Sequence, residues 1–414
     1  IVLIDNAHLL STHQQSKLFE WNKKNDSKLI LLGNKNTLLS QQVGVSLQQL
    51  IDKGLPCVTM QTPDSEVSPI TSSINKIANT VIESKHNDDR HYAMSHHFSQ
   101  LNEKERKQSW LVSNNKKAVE SLNERTHQTL LSQRKLGKTV TINLLAPIFI
   151  PEGKGGIATI YQKNQVVRFN ESYSSLKVER GEYLRVVRSS KVSNRVVLQK
   201  DNGKHLIWQP DKVAGLTQGK VELFNEVKRE LSVNEMVIAN RSLKSKDIVK
   251  GERLYISGVS NKNITLKTQH GKTVLLDTSK PYHRHLDYGY ASTLHPIAHE
   301  KPTFLIAELP AQSFQANQRH FNQMISQSKE AWIYTDDQSA LLNNIEKITG
   351  DRLTVHETIK KSDDIKNNLN AIYNLLEKKI MTQDKNVSAI KTAIDAVDYA
   401  MRYLSEREAG FSHK

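Results

Sequence analysis

One cysteine in 414 residues, Cys57, excludes an internal disulfide and a cysteine-rich zinc site, and suits a reducing cytosol. Long hydrophobic runs are missing as well. The longest, such as Leu29-Ile30-Leu31-Leu32, fall far short of the ~20 residues that cross a bilayer, so no membrane insertion is expected. No basic stretch precedes an apolar one at the start: Ile1-Val2-Leu3-Ile4 runs straight into Asp5 without a starting Met. That pattern predicts no signal peptide, and a chain that is a piece of a longer protein. Aromatics are sparse at 6%, and acidic charge is in deficit, with 43 Asp and Glu against 58 Lys and Arg for a net charge of +15. What remains, 37% apolar residues over this length, is enough for two or three domains with cores of their own.

From residue 1 to 85 short apolar strands alternate with helices. Ile1–Ile4, Lys28–Leu32 and a third run near Cys57-Val58-Thr59-Met60 read as strands; a polar helix to Asn25 and one from Thr71, with Ile74, Ile77 and Val81 on one face, lie between and after them. Continuous apolar strands are buried on both faces, which implies a parallel sheet covered by helices and an α/β fold. Residues 86–108 are polar and read as a linker, with His86, His91, His96 and His97 in solvated loop. A second α/β block opens at Ser109-Trp110-Leu111-Val112-Ser113 and is assigned residues 109–145 and 285–358, resuming with strands Pro302–Ala307 and Ala331–Thr335. Helices near 365–380 and 387–404 make 359–414 a helical tail.

Residues 146–284 interrupt that block with short alternating strands, and they repeat. Gly181-Glu182-Tyr183-Leu184-Arg185-Val186-Val187 answers Gly251-Glu252-Arg253-Leu254-Tyr255-Ile256-Ser257, Val192-Ser193-Asn194 answers Val259-Ser260-Asn261, and Gly203-Lys204 answers Gly271-Lys272. Two small SH3-like or OB-like β modules are predicted. Charge gathers here: in 151–280, 24 Lys and Arg face 13 Asp and Glu, a surplus of 11 out of the chain's +15. Cations for phosphates, interleaved with Tyr183, Trp208 and Tyr255 for stacking, are what single-stranded nucleic acid requires, so Arg185, Arg188, Lys191, Arg195, Lys204, Trp208 and Arg253 are the candidate DNA contacts. A solvated surface over an aromatic core is the competing reading.

Other chemistry is thin. Gly153-Lys154-Gly155-Gly156 lacks phosphate-loop spacing and reads as a turn. His8 and His13 beside Asp5 want a third convergent ligand, and no metal site is expected. Cys57 reads as a buried strand residue with no partner to make it a nucleophile, and Tyr282-His283-Arg284-His285 as a turn.

Three segments, in order, resemble superfamily-one helicases. Ile1–Leu10 is similar to their strand and Asp-Glu motif; Leu31-Leu32-Gly33-Asn34-Lys35-Asn36-Thr37-Leu38 is similar to the next motif. Tyr290-Ala291-Ser292-Thr293-Leu294-His295 resembles the Tyr-Ala-x-Thr-x-His core of the later motif that contacts single-stranded DNA. With the paired modules before that motif and Leu404–Phe411 at the end, the chain resembles more narrowly the internal helicase-like region of the TraI-like, MobF-type conjugative relaxase-helicases. That resemblance implies two RecA-like parallel-sheet lobes, the second interrupted by modules of the 2B and 2B-like kind. It also implies single-stranded DNA as partner, with Thr293 and His295 in contact. The β insert would act as a translocation signal read by a coupling protein and type IV secretion apparatus, in a bacterial cytoplasmic protein exported to the recipient cell. The parent would nick and unwind DNA.

The departures from the family's pattern are as telling. Asp5 could hold Mg²⁺ if ATP binds, yet the Glu position is Asn6, whose amide cannot accept a proton. Asn34 replaces Asp and Thr37 replaces Gln; Pro296, Ala298 and His299 break the end of the later motif; Ser326-Gln327-Ser328-Lys329 brings no arginine to a terminal phosphate. The expectation is therefore a DNA-binding segment without ATP turnover and without a cofactor, no residue being catalytic. An active helicase using ATP and Mg²⁺, or a protein-interaction module that binds no DNA, are the alternatives.

Overall fold

The computed structural model describes residues 1–33, 44–58, 81–151, 153–213, 219–297 and 302–350, with a few positions between 366 and 395. Asn34, Thr37, Ala298, His299, the expected helix from Thr71 and the helical tail with its closing Leu404–Phe411 lie outside them. The chain divides into two units: residues 1–70, 316–323 and 344–414 form one, and 71–315 with 324–343 the other.

In the first unit, β1 (Val2–Ile4) pairs in parallel with β2 (Leu29–Leu31), Val2 opposite Leu29, joined by helix α1 (Thr12–Asn25). Ser11 and Gln14 cap α1 reciprocally, each side chain taking the other's backbone N–H, which fixes where the helix begins. Helix α2 (Ser46–Asp52) follows, and Cys57 stands beyond it in irregular, exposed chain, not in a buried strand. Three-residue apolar runs are too short to tell a strand from a loop by pattern alone.

The second unit holds a five-stranded parallel sheet. Its strands are β3 (Val81–Glu83), β4 (Ser109–Val112), β16 (Ala291–Ser292), β17 (Phe304–Glu308) and β18 (Glu330–Thr335), in the order β16-β4-β17-β18-β3. The α/β class follows from it. Helix α3 (Asn87–Gln100), the short α4 (Glu103–Lys107) and α5 (Lys116–Ser132) belong with this sheet. Residues 86–108 are thus no linker. Met94 and Phe98 enter the core, and Arg90, His91, Ser95 and Ser99 are buried with them. Periodicity missed α3 because much of its buried face is polar, satisfied by hydrogen bonds that only tertiary contact supplies.

The insert opens earlier than 146. Strand β5 (Thr139–Ile148) pairs along its length with β10 (Val221–Ser232), and the sheet β5-β10-β6-β7-β8-β9 is completed by β6 (Val166–Phe169), β7 (Tyr183–Ser190), β8 (Arg195–Gln199) and β9 (His205–Trp208). The second module comprises β11 (Met236–Ala239), β12 (Arg253–Val259), β13 (Asn263–Lys267), β14 (Thr273–Asp277) and β15 (Leu286–Tyr288), ordered β14-β13-β12-β11-β15.

The repeat is carried in backbone detail at a spacing of seventy residues. Gly181 N–H donates to Phe169 O as Gly251 N–H does to Ala239 O, both at 2.7 Å; Arg180 and Lys250 each donate their N–H to a serine Oγ eight residues back. Asn164 and Asn234 share a left-handed conformation, as do Lys177 and Asp247. Each module breaks register once, between Val186 and Arg188 and between Ile256 and Gly258. A bulge there bends each hairpin into a small curved sheet.

At the return to the parallel sheet, β15 pairs with the second module and β16, two residues later, pairs with β4. Gly289 sits between. A Cβ on it would lie 2.7 Å from the Val237 carbonyl carbon, so only glycine lets the chain cross so close to β11.

Candidate nucleic-acid interface

The parallel strands end together, and a parallel sheet's carboxyl edge is where ligands gather. On this edge stand Ser113 and Asn114 after β4, Thr293 after β16, and Glu308 at the end of β17. Asn114 Oδ1 accepts the Leu294 N–H at 3.2 Å, tying the 293–295 turn to the end of β4. Asn123 of α5 holds the same segment from behind, its Oδ1 accepting the N–H groups of Tyr290 and Ala291 at 3.0 and 2.8 Å. Tyr290 is buried and its hydroxyl donates to Glu235, which also bonds His127 Nδ1 at 2.9 Å; burial, the Glu235 charge and that hydrogen bond push the phenol well above its usual range. Tyr290 and Ala291 are therefore structural, while Thr293 and His295 are half-buried at the edge.

Beside them opens a cleft of about 700 Å³, bordered by Asn114, Lys116, Lys117 and Phe314 with Glu308 at its base. Glu308 accepts hydrogen bonds from Arg90 Nε at 2.9 Å and Ser113 Oγ at 2.7 Å, and His91 Nε2 lies 3.1 Å away. Burial acts to raise this carboxyl, but the bonds from His91 and Ser113 and the charges of His91 and Arg90 outweigh it and hold it down at about 2. Asn115 caps α5 by accepting the Lys117 N–H at 2.9 Å. The first turn of α5 then carries Lys116 and Lys117 and no acid, the reverse of what the helix dipole favours. An anion settling there relieves both the lysines and the dipole. Glu308 and Arg90 carry no sequence signal, and His91 reads as solvated loop; the unread Asn114-Asn115 pair before the helix is a capping pattern that could have marked where α5 starts.

The residues singled out for DNA in the modules separate into two sets. Arg188, Lys191, Arg195 and Lys204 are exposed; Arg185 is exposed but paired with Glu226 at 2.7 Å. Trp208 and Arg253 are buried, which corrects their assignment to DNA contact. Trp208 packs edge-on against Tyr161 and Phe169 in the first module's core, leaving no face for a base. Arg253 lies 3.2 Å over the Trp110 ring and donates to Ser109 O, pinning the second module to β4. Tyr183 is buried too, its hydroxyl 2.7 Å from His285 Nε2. Of the four histidines placed in solvated loop, His91 is buried against Glu308 and His97 packs against Trp332 and Tyr334. At the first strand, Asp5 is exposed, its Oδ1 accepting the Asn6 N–H at 2.8 Å, and Asn6 adopts a left-handed conformation (φ 54°) that asparagine tolerates better than glutamate. Among the described residues no group of three or more His, Cys, Asp or Glu is placed to hold a metal ion, and no helix is long and apolar enough to cross a membrane.

No family model and no curated protein matches this sequence. Among solved structures, a Pif1 helicase from a study of forked duplex unwinding by two coordinating Pif1 helicases is 12% identical with a TM-score of 0.38, over 88% of this chain and 74% of that one. Bacteroides Pif1 bound to single-stranded DNA is 11% identical (TM-score 0.40; 81% and 70%), and Pif1 from Candida albicans is 11% identical (TM-score 0.41; 88% and 76%).

Proposed function

We propose that this chain is a single-stranded DNA-binding, ATPase-deficient helicase-like region of a conjugative relaxase of the TraI kind, and that its β insert also serves as the signal by which a coupling protein passes the relaxase–DNA complex to a type IV secretion channel. The observation that carries the DNA-binding part is the carboxyl edge of the parallel sheet. There Thr293 and His295, the residues that resemble the helicase DNA motif, stand on a turn tied to Asn114, and the uncompensated lysines of α5 follow two residues later in the chain. Lysines against the dipole want phosphate, and a strand of DNA supplies it repeatedly. Asn6 supports the loss of hydrolysis, since an amide has no basic oxygen to take a proton from attacking water and here has a backbone reason for being asparagine. What remains is a clamp without a motor.

Anisotropy of a labelled oligothymidylate against salt concentration, beside ATP hydrolysis with and without that DNA, tests this. The expected result is affinity that falls steeply with salt, weakened about tenfold by Lys116→Ser with Lys117→Ser, and no DNA-stimulated turnover. Robust turnover would restore the active-helicase reading; absent or salt-insensitive binding would leave a protein-interaction module. Capture of the coupling protein by this chain reads the secretion role separately.

A further inference from the structure

Between the two β modules, the facing ends of β5 and β10 and the turn after β11 enclose a groove of about 940 Å³, within the ~300–1,000 Å³ range of ligand sites. Lys116, Arg168, Lys220, Arg241, Lys244 and Lys250 line it, against a single carboxylate among the described lining residues, Glu222. Arg168 Nη1, at 3.2 Å, and Arg241 already occupy that carboxylate. Lys116, Lys220, Lys244 and Lys250 make no ion pair with a described residue. From the same wall Phe149 projects 79% exposed, with Pro147 and Pro151 two residues to either side along the chain. The neighbouring His285 registers the local field: after burial, the charges of Arg241, Arg168 and Arg284 keep its imidazole neutral.

The internal repeat provides a control for two of these cations, Arg241 and Lys244. Residues 171–180 and 241–250 build the same turn, with the same bridge (Tyr173 to Val178, Leu243 to Ile248) and the same serine acceptor. The first copy carries Glu171 and Ser174 where the second carries Arg241 and Lys244, while Arg180 already matches Lys250 in charge; among the described residues only the second copy lines the groove. The turn therefore folds without the added positive charge. Its presence in the groove copy alone points to a ligand.

We infer that this groove is a path for single-stranded nucleic acid, in which Lys220, Lys244 and Lys250 meet successive phosphates and Phe149 offers the face on which an unpaired base stacks. The inference rests on the DNA-binding reading above and moves the module contact from the outer strands to the space between modules. Lys116 lines both this groove and the cleft at the sheet edge, so one strand can run from one to the other. An acidic peptide would match the lysines but leave the ring of Phe149 without a partner; unpaired bases match both.

The test uses the whole chain and a labelled oligothymidylate, with a duplex of equal length beside it. Lys244→Ser installs the residue that the first copy carries in the same turn, so it leaves the fold intact; melting by circular dichroism checks this for every variant. Lys220→Ser with Lys244→Ser should weaken single-strand binding about tenfold near 0.1 M salt and make the salt slope shallower by about 0.7 per lysine. Phe149→Ala should weaken it about fivefold or more with the slope unchanged. Lys262→Ser with Lys267→Ser, an outer pair exposed on the second module and absent from the groove lining, should leave binding as it was. If the intact chain binds DNA but the groove variants bind like it, or the outer pair carries the loss, the groove inference fails and the DNA-binding reading stands. If the intact chain binds no DNA, both fall. A duplex held as tightly as the single strand, with Phe149→Ala silent, overturns the single-strand path.

Discussion

His285 and Glu308 are both ionisable, both buried, and both held low for different reasons. For His285 burial comes first, followed by the charges of Arg241, Arg168 and Arg284, and the imidazole is held at about 3. The unfolded chain takes up a proton near pH 6.5, which the folded chain refuses until about pH 3. Stability from this group is therefore complete above pH 6.5 and drains away as pH falls towards 3. His285→Gln should keep an acceptor for the Tyr183 hydroxyl and flatten the fall in urea midpoint between pH 7 and 4; an unchanged slope would refute the assignment. Glu308 behaves similarly in a lower window, complete above about 4.5 and lost as pH drops to about 2. At pH 7 Glu308→Gln leaves Arg90 buried without its counter-charge, at a cost of about 3–5 kcal/mol in denaturant unfolding, and the difference from the parent protein should shrink in acid. Residue roles were the least legible part of the sequence. Trp208 reads as a stacking platform because His205-Leu206-Ile207-Trp208 has apolar residues on both faces, so alternation cannot say which points inward. The pairing of Trp208 with Val196 does, turning it into the core and leaving Ile207 outside. Arg253 looks like a phosphate ligand until Trp110, far away in sequence, is found beneath it.

Elements are legible where local rules decide them. The module repeat, visible in the sequence, survives in hydrogen bonds, left-handed residues and bulges. The sequence pattern reads residues 87–100 as linker and Val81 as part of a helix, since helix α3 is stabilised by buried polar bonds and strand β3 is only three residues long. The crossing from β15 to β16 is the element most open to test. Gly289→Ala forces a methyl against the Val237 backbone, which belongs to a paired strand and cannot move aside cheaply. The expected loss is about 2–3 kcal/mol, in the range of overpacked core sites, read as a drop in melting temperature; a variant as stable as the parent would show that β11 yields.

At the scale of the whole molecule, charge is distributed unevenly. Most of the +15 sits in the insert, and the groove gathers six cations around one carboxylate among its described lining residues. Self-repulsion on that scale destabilises the folded state and is screened by salt. Raising ionic strength from about 0.02 to 0.2 M should lift the melting temperature by a few degrees, and substoichiometric oligothymidylate should do so at low salt. A fall in melting temperature with salt would mean that attractive pairs outweigh the surplus. The same unevenness fits the proposed clamp, which would hold DNA mainly by phosphate contacts and so read little sequence.

Local chemistry and pattern alone determined the α/β class, the repeat, the basic insert and the absence of a long apolar helix among the described elements, because each depends on residues close together in the chain. Tertiary structure decided which face of each strand is buried, that residues 87–100 pack as a core helix, and that Glu308 joins Arg90, His91 and Ser113. It also decided that the second copy of the repeated turn, and not the first, faces a groove. The return segment from Leu286 to His295 shows both. Its sequence marks a change of sheet, but only the approach of Gly289 to Val237 and the grip of Asn123 and Asn114 explain why the change happens there, since those partners lie 50 to 180 residues away and no window along the chain contains them.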